Sequence, residues 1–253
     1  ELAKEYALKL FGLKPKVWSV NVQPYSGSPA NLAIYTALMA PGETFLGMKL
    51  AVGGHLTHGH KVSASGKFFK AVQYGVTAKG LIDYEEIEHM AEEYKPKVIV
   101  SGTTAYPRAV NFKKIGAIAK RFGAYHVADI SHIAGLVVAG LHQSPFPYAD
   151  AVMTTTHKTL RGPRGAVIFS RAELAEKIDK AVFPGLQGGP HNNVTAAKAQ
   201  AFAEALSPKF KKYQERVLKN ARALADELST LGFTLVTGGT DNHIILVDLR
   251  NRG

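Results

Sequence analysis

Lys158 stands at the end of a run of hydroxyls and a histidine, Thr154-Thr-Thr-His-Lys158. Residues 150–154 are typical of a short strand, and residues 160–165 form a loop rich in glycine and proline. An amine placed at a strand end among hydrogen-bonding groups could form an imine with an aldehyde, provided that it loses its proton readily. Most lysines are solvated, so this one alone indicates no more than a loop lysine.

Asp129 and His55 could serve the same ligand. Asp129 follows an apolar stretch, where an ionised carboxylate is unfavourable unless it has a cationic partner. His55 lies in the loop Gly53-Gly-His-Leu-Thr-His-Gly59, whose glycines would let the backbone approach a planar ligand. The two histidines of this loop could instead bind a metal. No acidic residue or third nearby histidine of suitable spacing completes a set of ligands, so we expect no metal.

A turn that contains Ser26, Gly27 and Ser28 leads into an apolar helix predicted for residues 32–39. Ser28 is predicted as the N-cap of this helix, and Pro29 as its first residue. The hydroxyls, the free backbone N–H groups and the positive end of the helix dipole could bind a phosphate. An N-cap without any ligand explains the same residues, so the turn alone decides nothing.

One cofactor, pyridoxal 5'-phosphate, uses all four features together. Its aldehyde requires a lysine, its pyridinium nitrogen an acid, its phosphate a helix N-terminus and its ring a flat neighbour. Lys158, Asp129, the 26–28 turn and His55 supply these groups. The order of phosphate turn, aspartate and lysine is also the order in fold-type I enzymes of this cofactor.

Apolar stretches and helical patterns alternate along the chain, which predicts an α/β fold with a mostly parallel sheet flanked by helices. Strands are predicted for residues 17–22, 72–76, 97–100, 125–128, 150–154 and 166–169, and helices for residues 1–12, 32–39, 84–94, 112–122, 193–206 and 208–231. The polar clusters follow strands, where ligands collect in such sheets. Two further strands, at residues 233–236 and 244–247, would begin a small α/β domain. We therefore expect a large domain at residues 1–206 and an incomplete small domain at residues 207–253.

Composition excludes several classes of protein. With 46% hydrophobic and 20% charged residues the chain is an ordinary globular protein, and no apolar run approaches the roughly 20 residues of a membrane helix. The lack of cysteine excludes disulfides and thiolate metal sites. The net charge of +11 is spread over the sequence, so nucleic-acid binding is not expected. No signal peptide is visible, and a cytoplasmic location is expected.

Five motifs resemble serine hydroxymethyltransferases, and the resemblance is close over nearly the whole chain. They are Gln23-Pro-Tyr-Ser-Gly-Ser-Pro-Ala-Asn31, Gly53-Gly-His-Leu-Thr-His-Gly59, Asp129-Ile-Ser-His-Ile-Ala-Gly-Leu136, Thr154-Thr-Thr-His-Lys-Thr-Leu-Arg-Gly-Pro-Arg-Gly165 and Phe183-Pro-Gly-Leu-Gln-Gly-Gly-Pro190. The fourth motif is highly specific, whereas the Ser-Gly-Ser turn alone is weak. The resemblance implies the large domain of a fold-type I pyridoxal-phosphate-dependent transferase.

The resemblance also implies the role of each cofactor-binding residue. Lys158 binds the cofactor covalently, Asp129 pairs with the pyridine nitrogen and His55 stacks on the ring. The remaining cofactor contacts are His132 and Thr104 near the phenolic oxygen, Ser26, Gly27 and Ser28 at the phosphate, His157 beside the lysine, and Gly188 with Gly189 at the phosphate of a neighbouring subunit. The family usually has serine at position 104, so the hydroxyl is kept and a methyl group is added.

The implied reaction interconverts serine and glycine and transfers the hydroxymethyl carbon to tetrahydrofolate. Thr155 is expected to assist the exchange of lysine for substrate, and Arg164 to support the substrate site. Leu50, Gly54 and Leu56 match positions that line the folate site. The implied assembly is a homodimer or tetramer with an active site shared between subunits. Tyr25 replaces a histidine seen in some relatives.

Both ends of the chain have the pattern of cuts within a longer protein. The family carries a tyrosine and a glutamate in an N-terminal segment, and an arginine that binds the substrate carboxylate in its C-terminal domain. None of these three residues has a counterpart in this chain. Arg250 and Arg252 follow a strand in a different context and are not assigned the arginine's role. The isolated chain is therefore expected to bind cofactor poorly and to be nearly inactive.

Two alternatives stay open. The first is an aldolase of the same fold that acts on threonine, and the second is a basic polyanion-binding module that has kept the fold and lost the chemistry. The histidine loop and the Thr-Thr-Thr-His-Lys string argue against the aldolase. The intact lysine, aspartate and histidine argue against the binding module.

Overall fold

The computed structural model describes residues 1–250, and Arg252 lies outside this part. Its helices are α1 (Leu2–Leu10), α2 (Gly27–Leu38), α3 (Ala64–Phe68), α4 (Tyr84–Tyr94), α5 (Phe112–Arg121), α6 (Ala134–Val138), α7 (Ala175–Lys180), α8 (Asn192–Ala205) and α9 (Pro208–Thr230). Its strands are β1 (Trp18–Asn21), β2 (Thr44–Met48), β3 (Lys70–Tyr74), β4 (Val98–Gly102), β5 (Tyr125–Asp129), β6 (Ala151–Thr155), β7 (Ala166–Arg171), β8 (Thr234–Leu235) and β9 (Val247–Asp248).

Strands β1 to β7 form one sheet in the order β1-β7-β6-β5-β4-β2-β3. The pairs among β2 to β6 are parallel, whereas β7 is antiparallel to both of its neighbours. The predicted mostly parallel α/β sheet is therefore confirmed. Two antiparallel steps bring β1 back to the direction of β6, so both strands end at the same edge of the sheet. That edge carries the turn after β1 and the loop after β6.

Helices cover both faces of the sheet because successive residues of a buried strand point to opposite sides. In β4, Val98 and Val100 pack in one core layer and Ile99 in the other. The first layer contains residues of α2 and α7, and the second contains residues of α1, α4, α5, α6, α8 and α9. No helix within residues 1–250 combines the length and apolarity of a membrane span.

The N-termini of helices α4 and α2 can be compared with the predicted caps. Helix α4 begins where predicted because the Asp83 side chain accepts hydrogen bonds from the N–H groups of Glu85 and Glu86. The predicted N-cap of α2 was wrong: Ser26 is the N-cap, and Gly27 is the first helical residue. Pro29 is tolerated at the third helical position because the first N–H groups of a helix have no intrahelical acceptor.

The remaining differences concern short or exposed elements. Strand β3 begins two residues before the prediction because it is an edge strand, where polar residues such as Lys70 are tolerated. Helices α3, α6 and α7, of five or six residues, and the five-residue strand β2 were not predicted. The last two strands pair with each other, although each has only two residues and the second begins at Val247, at the end of its predicted range.

Arg108 attaches the segment after β8 to the loop after β4. Its Nη1 atom lies 2.9 Å from Oδ1 of Asp241, and its Nε donates to the Thr237 hydroxyl. The second carboxylate oxygen of Asp241 accepts from the Ala109 N–H, and the Asn242 side chain donates to the Tyr106 carbonyl. These contacts hold residues 237–242 against the large sheet.

Lys198 of α8 is a buried ammonium that has no carboxylate partner within residues 1–250. Only 1% of the residue is exposed, and its Nζ donates to the carbonyls of Val22 (2.6 Å), Pro24 (3.2 Å) and Ala166 (2.9 Å). Pro24 lies just before the 26–28 turn, and Ala166 begins β7. A single side chain thus joins α8 to two strand ends at the edge where the polar clusters meet.

Candidate active site

A cavity of about 310 Å³ lies at the carboxyl ends of the parallel strands, where the polar clusters were predicted to meet. Eleven of the predicted residues line it, namely Ser26, Gly27, Ser28, His55, Thr104, Asp129, His132, Thr155, His157, Lys158 and Arg164. They come from four strand ends, the N-terminus of α2 and the histidine loop. The fold therefore brings together residues more than 130 positions apart in the sequence.

Lys158 lies partly buried in the cavity, beside His132. Its Nζ is 2.9 Å from Nε2 of His132. Burial lowers the pKa of the lysine, Asp129 opposes this effect, and Arg164 adds to it. Burial and the neighbouring ammonium lower the pKa of His132 to about 4, so its neutral ring accepts a hydrogen bond from Lys158. The amine thus loses its proton more readily than a solvated lysine.

Asp129 is buried at the end of β5 and is held by four hydrogen bonds. One oxygen accepts from the N–H (3.0 Å) and the hydroxyl (2.6 Å) of Ser131, and the other accepts from Asn31 (2.9 Å) and faces Nε2 of His58 (3.4 Å). Burial raises the pKa of the carboxyl, but the bonds from His58, Ser131 and Asn31 outweigh it and leave the pKa well below its usual range. The group is therefore an anion at neutral pH.

The N-terminus of α2 opens on the cavity. The first backbone bond of the helix runs from Ala30 N–H to the Ser26 carbonyl, so the N–H groups of Gly27 and Ser28 precede the helical ladder. The Ser26 side chain makes no capping bond. A Cβ atom at position 27 would lie 2.8 Å from Cγ2 of Thr155, so only glycine lets the helix approach β6 this closely. These N–H groups and the positive end of the helix dipole are suited to an anion.

The family model of serine hydroxymethyltransferase matches residues 1–253 of this sequence. The chain belongs to the serine hydroxymethyltransferase family. A curated serine hydroxymethyltransferase from Desulfotalea psychrophila (strain LSv54 / DSM 12343) is 57% identical over 251 residues, which is 99% of this chain and 58% of that protein. The chain thus spans a little over half the length of the relative that it matches.

Five residues that the family resemblance assigned to the site lie outside the cavity lining. Leu50 and Leu56 are exposed on either side of Gly54, which is buried against the carbonyl of Met48. Gly188 and Gly189 are exposed, and the carbonyl of Gly189 accepts from the Tyr25 hydroxyl at 2.7 Å. Their roles toward folate and a second subunit stay predictions.

Sequence reasoning assigned no site role to several residues that the structure places in or beside the cavity. His58, Thr103, Ser131 and Met153 line it, and Asn31, which is not part of the lining, donates a hydrogen bond to Asp129. A signal for Asn31 was available, since it lies four residues after Gly27 and thus on the same face of α2. His243 stacks against His132, with ring centroids 6.5 Å apart and planes inclined by 14°. No local pattern connects these two histidines.

Proposed function

We propose that this chain is the cofactor-binding part of an enzyme that interconverts serine and glycine and transfers the hydroxymethyl carbon to tetrahydrofolate. The proposal includes pyridoxal 5'-phosphate bound covalently to Lys158. One observation carries it: a lysine with a lowered pKa, a buried anionic carboxylate and a free helix N-terminus open on the same cavity.

Unpaired polar atoms around the cavity support the fit of this cofactor. The hydroxyl of Thr155 and Nδ1 of His157 are buried without a hydrogen-bond partner among the described residues. Both residues line the cavity beside Lys158. Buried polar groups without partners are rare, and a polar ligand would satisfy them. No group of acidic residues and histidines within residues 1–250 has the arrangement of a metal site.

When bound, pyridoxal 5'-phosphate supplies an aldehyde that reacts with amines and a ring that accepts negative charge from the α-carbon of an amino acid. Lys158 would hold the aldehyde carbon, and its amine would serve as a base beside that carbon once a substrate amine displaces it. The neutral His132 ring accepts its hydrogen bond and, with Thr104, would contact the phenolic oxygen. Thr155 would assist the displacement.

Asp129 would keep a proton on the ring nitrogen. The carboxylate is already anionic at neutral pH, so its pairing with a cationic nitrogen adds a charge-assisted bond without any proton change. His55 would stack on the ring face, and Asp129, His58 and Lys158 are its titratable neighbours. These groups would orient the ring and exclude water from one of its faces.

The phosphate would bind Ser26, Gly27 and Ser28 at the N-terminus of α2. In the assembly that we propose, a homodimer or tetramer, Gly188 and Gly189 of a neighbouring subunit would reach the same phosphate. Both glycines are exposed in this chain, which is compatible with such a contact.

The substrate side involves fewer residues of this chain. Nη1 of Arg164 lies 3.4 Å from Nε2 of His157, and the guanidinium supplies positive charge beside Lys158. Leu50 and Leu56, on either side of Gly54, would offer apolar surface to the folate ring system. We propose these contacts from the matching family positions and from the exposure of both leucines.

Absorbance spectroscopy tests the cofactor site. The protein, expressed from its complete gene and mixed with pyridoxal 5'-phosphate, should absorb in the visible, and borohydride reduction should fix the cofactor to the peptide that contains Lys158. Lys158→Ala should lose both signals, while Lys212→Ala, which changes an exposed lysine of α9, should keep them. A visible band that persists in Lys158→Ala would contradict the assignment.

Substrate conversion separates the hydroxymethyltransferase from the threonine aldolase. We expect serine to yield glycine only when tetrahydrofolate is present, at a rate well above threonine cleavage. Threonine cleavage that exceeds serine conversion and ignores folate would favour the aldolase. Salt-dependent RNA binding without either reaction would favour the polyanion-binding module.

A further inference from the structure

We propose that Asn31 and Thr57 are positioning residues that fix the tautomer and the orientation of the His55 ring. The two side chains connect Asp129 to His55 through consecutive hydrogen bonds. The inference rests on the proposed function only in assigning His55 to the face of the cofactor. The hydrogen-bond directions follow from the chain itself.

The first step is the orientation of the Asn31 amide. Its Nδ2 atom lies 2.9 Å from Oδ2 of Asp129 and 2.9 Å from Oγ1 of Thr57. An ionised carboxylate can only accept hydrogen bonds, so the amide must present its NH₂ group to Asp129. The same NH₂ group then donates its second hydrogen to Thr57. The anion thus determines the orientation of Asn31, which has no exposed surface.

The second step is the direction of the Thr57 hydroxyl. Its oxygen accepts from Asn31, and its only hydrogen is free to donate to Nδ1 of His55, 2.7 Å away. The backbone N–H of Thr57 also donates to that nitrogen, at 3.2 Å. A nitrogen that accepts two hydrogen bonds cannot carry a hydrogen of its own. Neutral His55 therefore carries its proton on Nε2.

This arrangement gives His55 a fixed ring plane and a fixed charge. Two donors on Nδ1 oppose rotation of the ring, and both would have to move if Nδ1 took up a proton. The titratable groups that face His55 are Asp129, His58, Lys158 and His132. Thr57 itself is buried, with 5% of its surface exposed, so water does not replace its hydroxyl.

Nuclear magnetic resonance of the cofactor-free protein tests the tautomer directly. Two-bond nitrogen–proton correlations of the His55 ring should show a protonated Nε2 and a bare Nδ1 at neutral pH. A protonated Nδ1 would overturn the inference. The measurement needs no cofactor, so a protein that shows the expected tautomer yet binds no pyridoxal 5'-phosphate would contradict only the proposed function.

Two substitutions at position 57 test the positioning role. Thr57→Val removes the hydroxyl at similar size, and Thr57→Ser keeps it. Because a donor to Nδ1 stabilises the neutral ring, Thr57→Val should raise the pKa of His55 by about half to one unit and weaken cofactor binding about 2- to 10-fold. Thr57→Ser should retain both values. Equal effects of the two substitutions on the His55 pKa would overturn the role.

Discussion

The ammonium of Lys158 donates to a histidine that stays neutral: Nζ lies 2.9 Å from Nε2 of His132, whose pKa burial and that ammonium lower to about 4. The bond favours the charged lysine and opposes the burial that lowers its pKa. His132 thus moderates how readily the amine loses its proton.

Removing this acceptor should make Lys158 more acidic. We expect His132→Phe to lower the lysine pKa by about half to one unit, the equivalent of one hydrogen bond to a charged group, relative to His132→Gln, which keeps an acceptor. The pH dependence of the reaction of Lys158 with a simple aldehyde measures the shift. An unchanged pH profile in His132→Phe would show that the 2.9 Å contact does not control the amine.

The Asp129 carboxylate should make the fold sensitive to acid. Its pKa in the folded protein lies well below the value of about 3.9 in an unfolded chain, so its contribution is present above that value and is lost as the pH falls toward the folded pKa. Urea unfolding of the cofactor-free protein between pH 3 and pH 7 should show this loss. Asp129→Asn should lower the free energy of unfolding at pH 7 by about 1–3 kcal/mol. The same substitution should reduce the loss of stability between pH 7 and pH 3. An equal loss of stability in both proteins as the pH falls would show that Asp129 does not cause the acid sensitivity.

The contact between Gly27 and Thr155 offers a double-mutant test. A Cβ at position 27 would lie 2.8 Å from Cγ2 of Thr155, so Gly27→Ala should destabilise the fold by about 1–3 kcal/mol. Thr155→Ser removes that methyl group and keeps the hydroxyl. The double substitution should therefore recover most of the loss in urea unfolding. Additive losses would show that the strain at position 27 has another source.

Lys198 should make the free energy of unfolding increase with pH in the alkaline range. Burial lowers its pKa to about 8, while the three carbonyls favour its charged form. Between that pH and about 10.4 the unfolded chain binds more protons, so the contribution of this group to stability rises with pH, by at most about 1.4 kcal/mol per unit. Lys198→Met should lack this rise. Parallel pH profiles for the two proteins would contradict the shift.

Arg108 should control the segment that carries His243. Arg108→Ala removes the hydrogen bonds to Asp241 and Thr237 and should speed hydrogen exchange at the Asp241 N–H, which donates to the Pro107 carbonyl. Lys120→Ala, which changes an exposed residue of α5, serves as the control. Exchange that is equally slow in both variants would show that other contacts hold the segment.

Sequence patterns predicted the sheet and most elements because each long element repeats one physical signal. Helix α4 has an aspartate cap and an apolar face, and β4 begins with three consecutive apolar residues. Helices α3 and α7 are too short to show a period. The start of α2 was misplaced because Ser26 and Ser28 are equally good caps by residue type, and only the fold selects between them.

For the site, sequence indicated which residues meet but not how their hydrogens are arranged. Lys158, Asp129 and His55 could be selected because each follows a strand or lies between glycines. The Asn31–Thr57 connection depends on the direction of each donor, which needs the positions of all four side chains. Lys198 gave no signal because a lysine in an alanine-rich helix is normally solvated.

Because β1 pairs with β7, its pairing is delayed during synthesis of the chain. Trp18 is opposite Arg171, so β1 must remain unpaired until about 150 further residues have been made. At roughly 5–20 residues per second this delay is on the order of 10–30 s, far longer than helix or hairpin formation. The turn that follows β1 forms one wall of the cavity, and the cavity can therefore close only late, after β7 has left the ribosome.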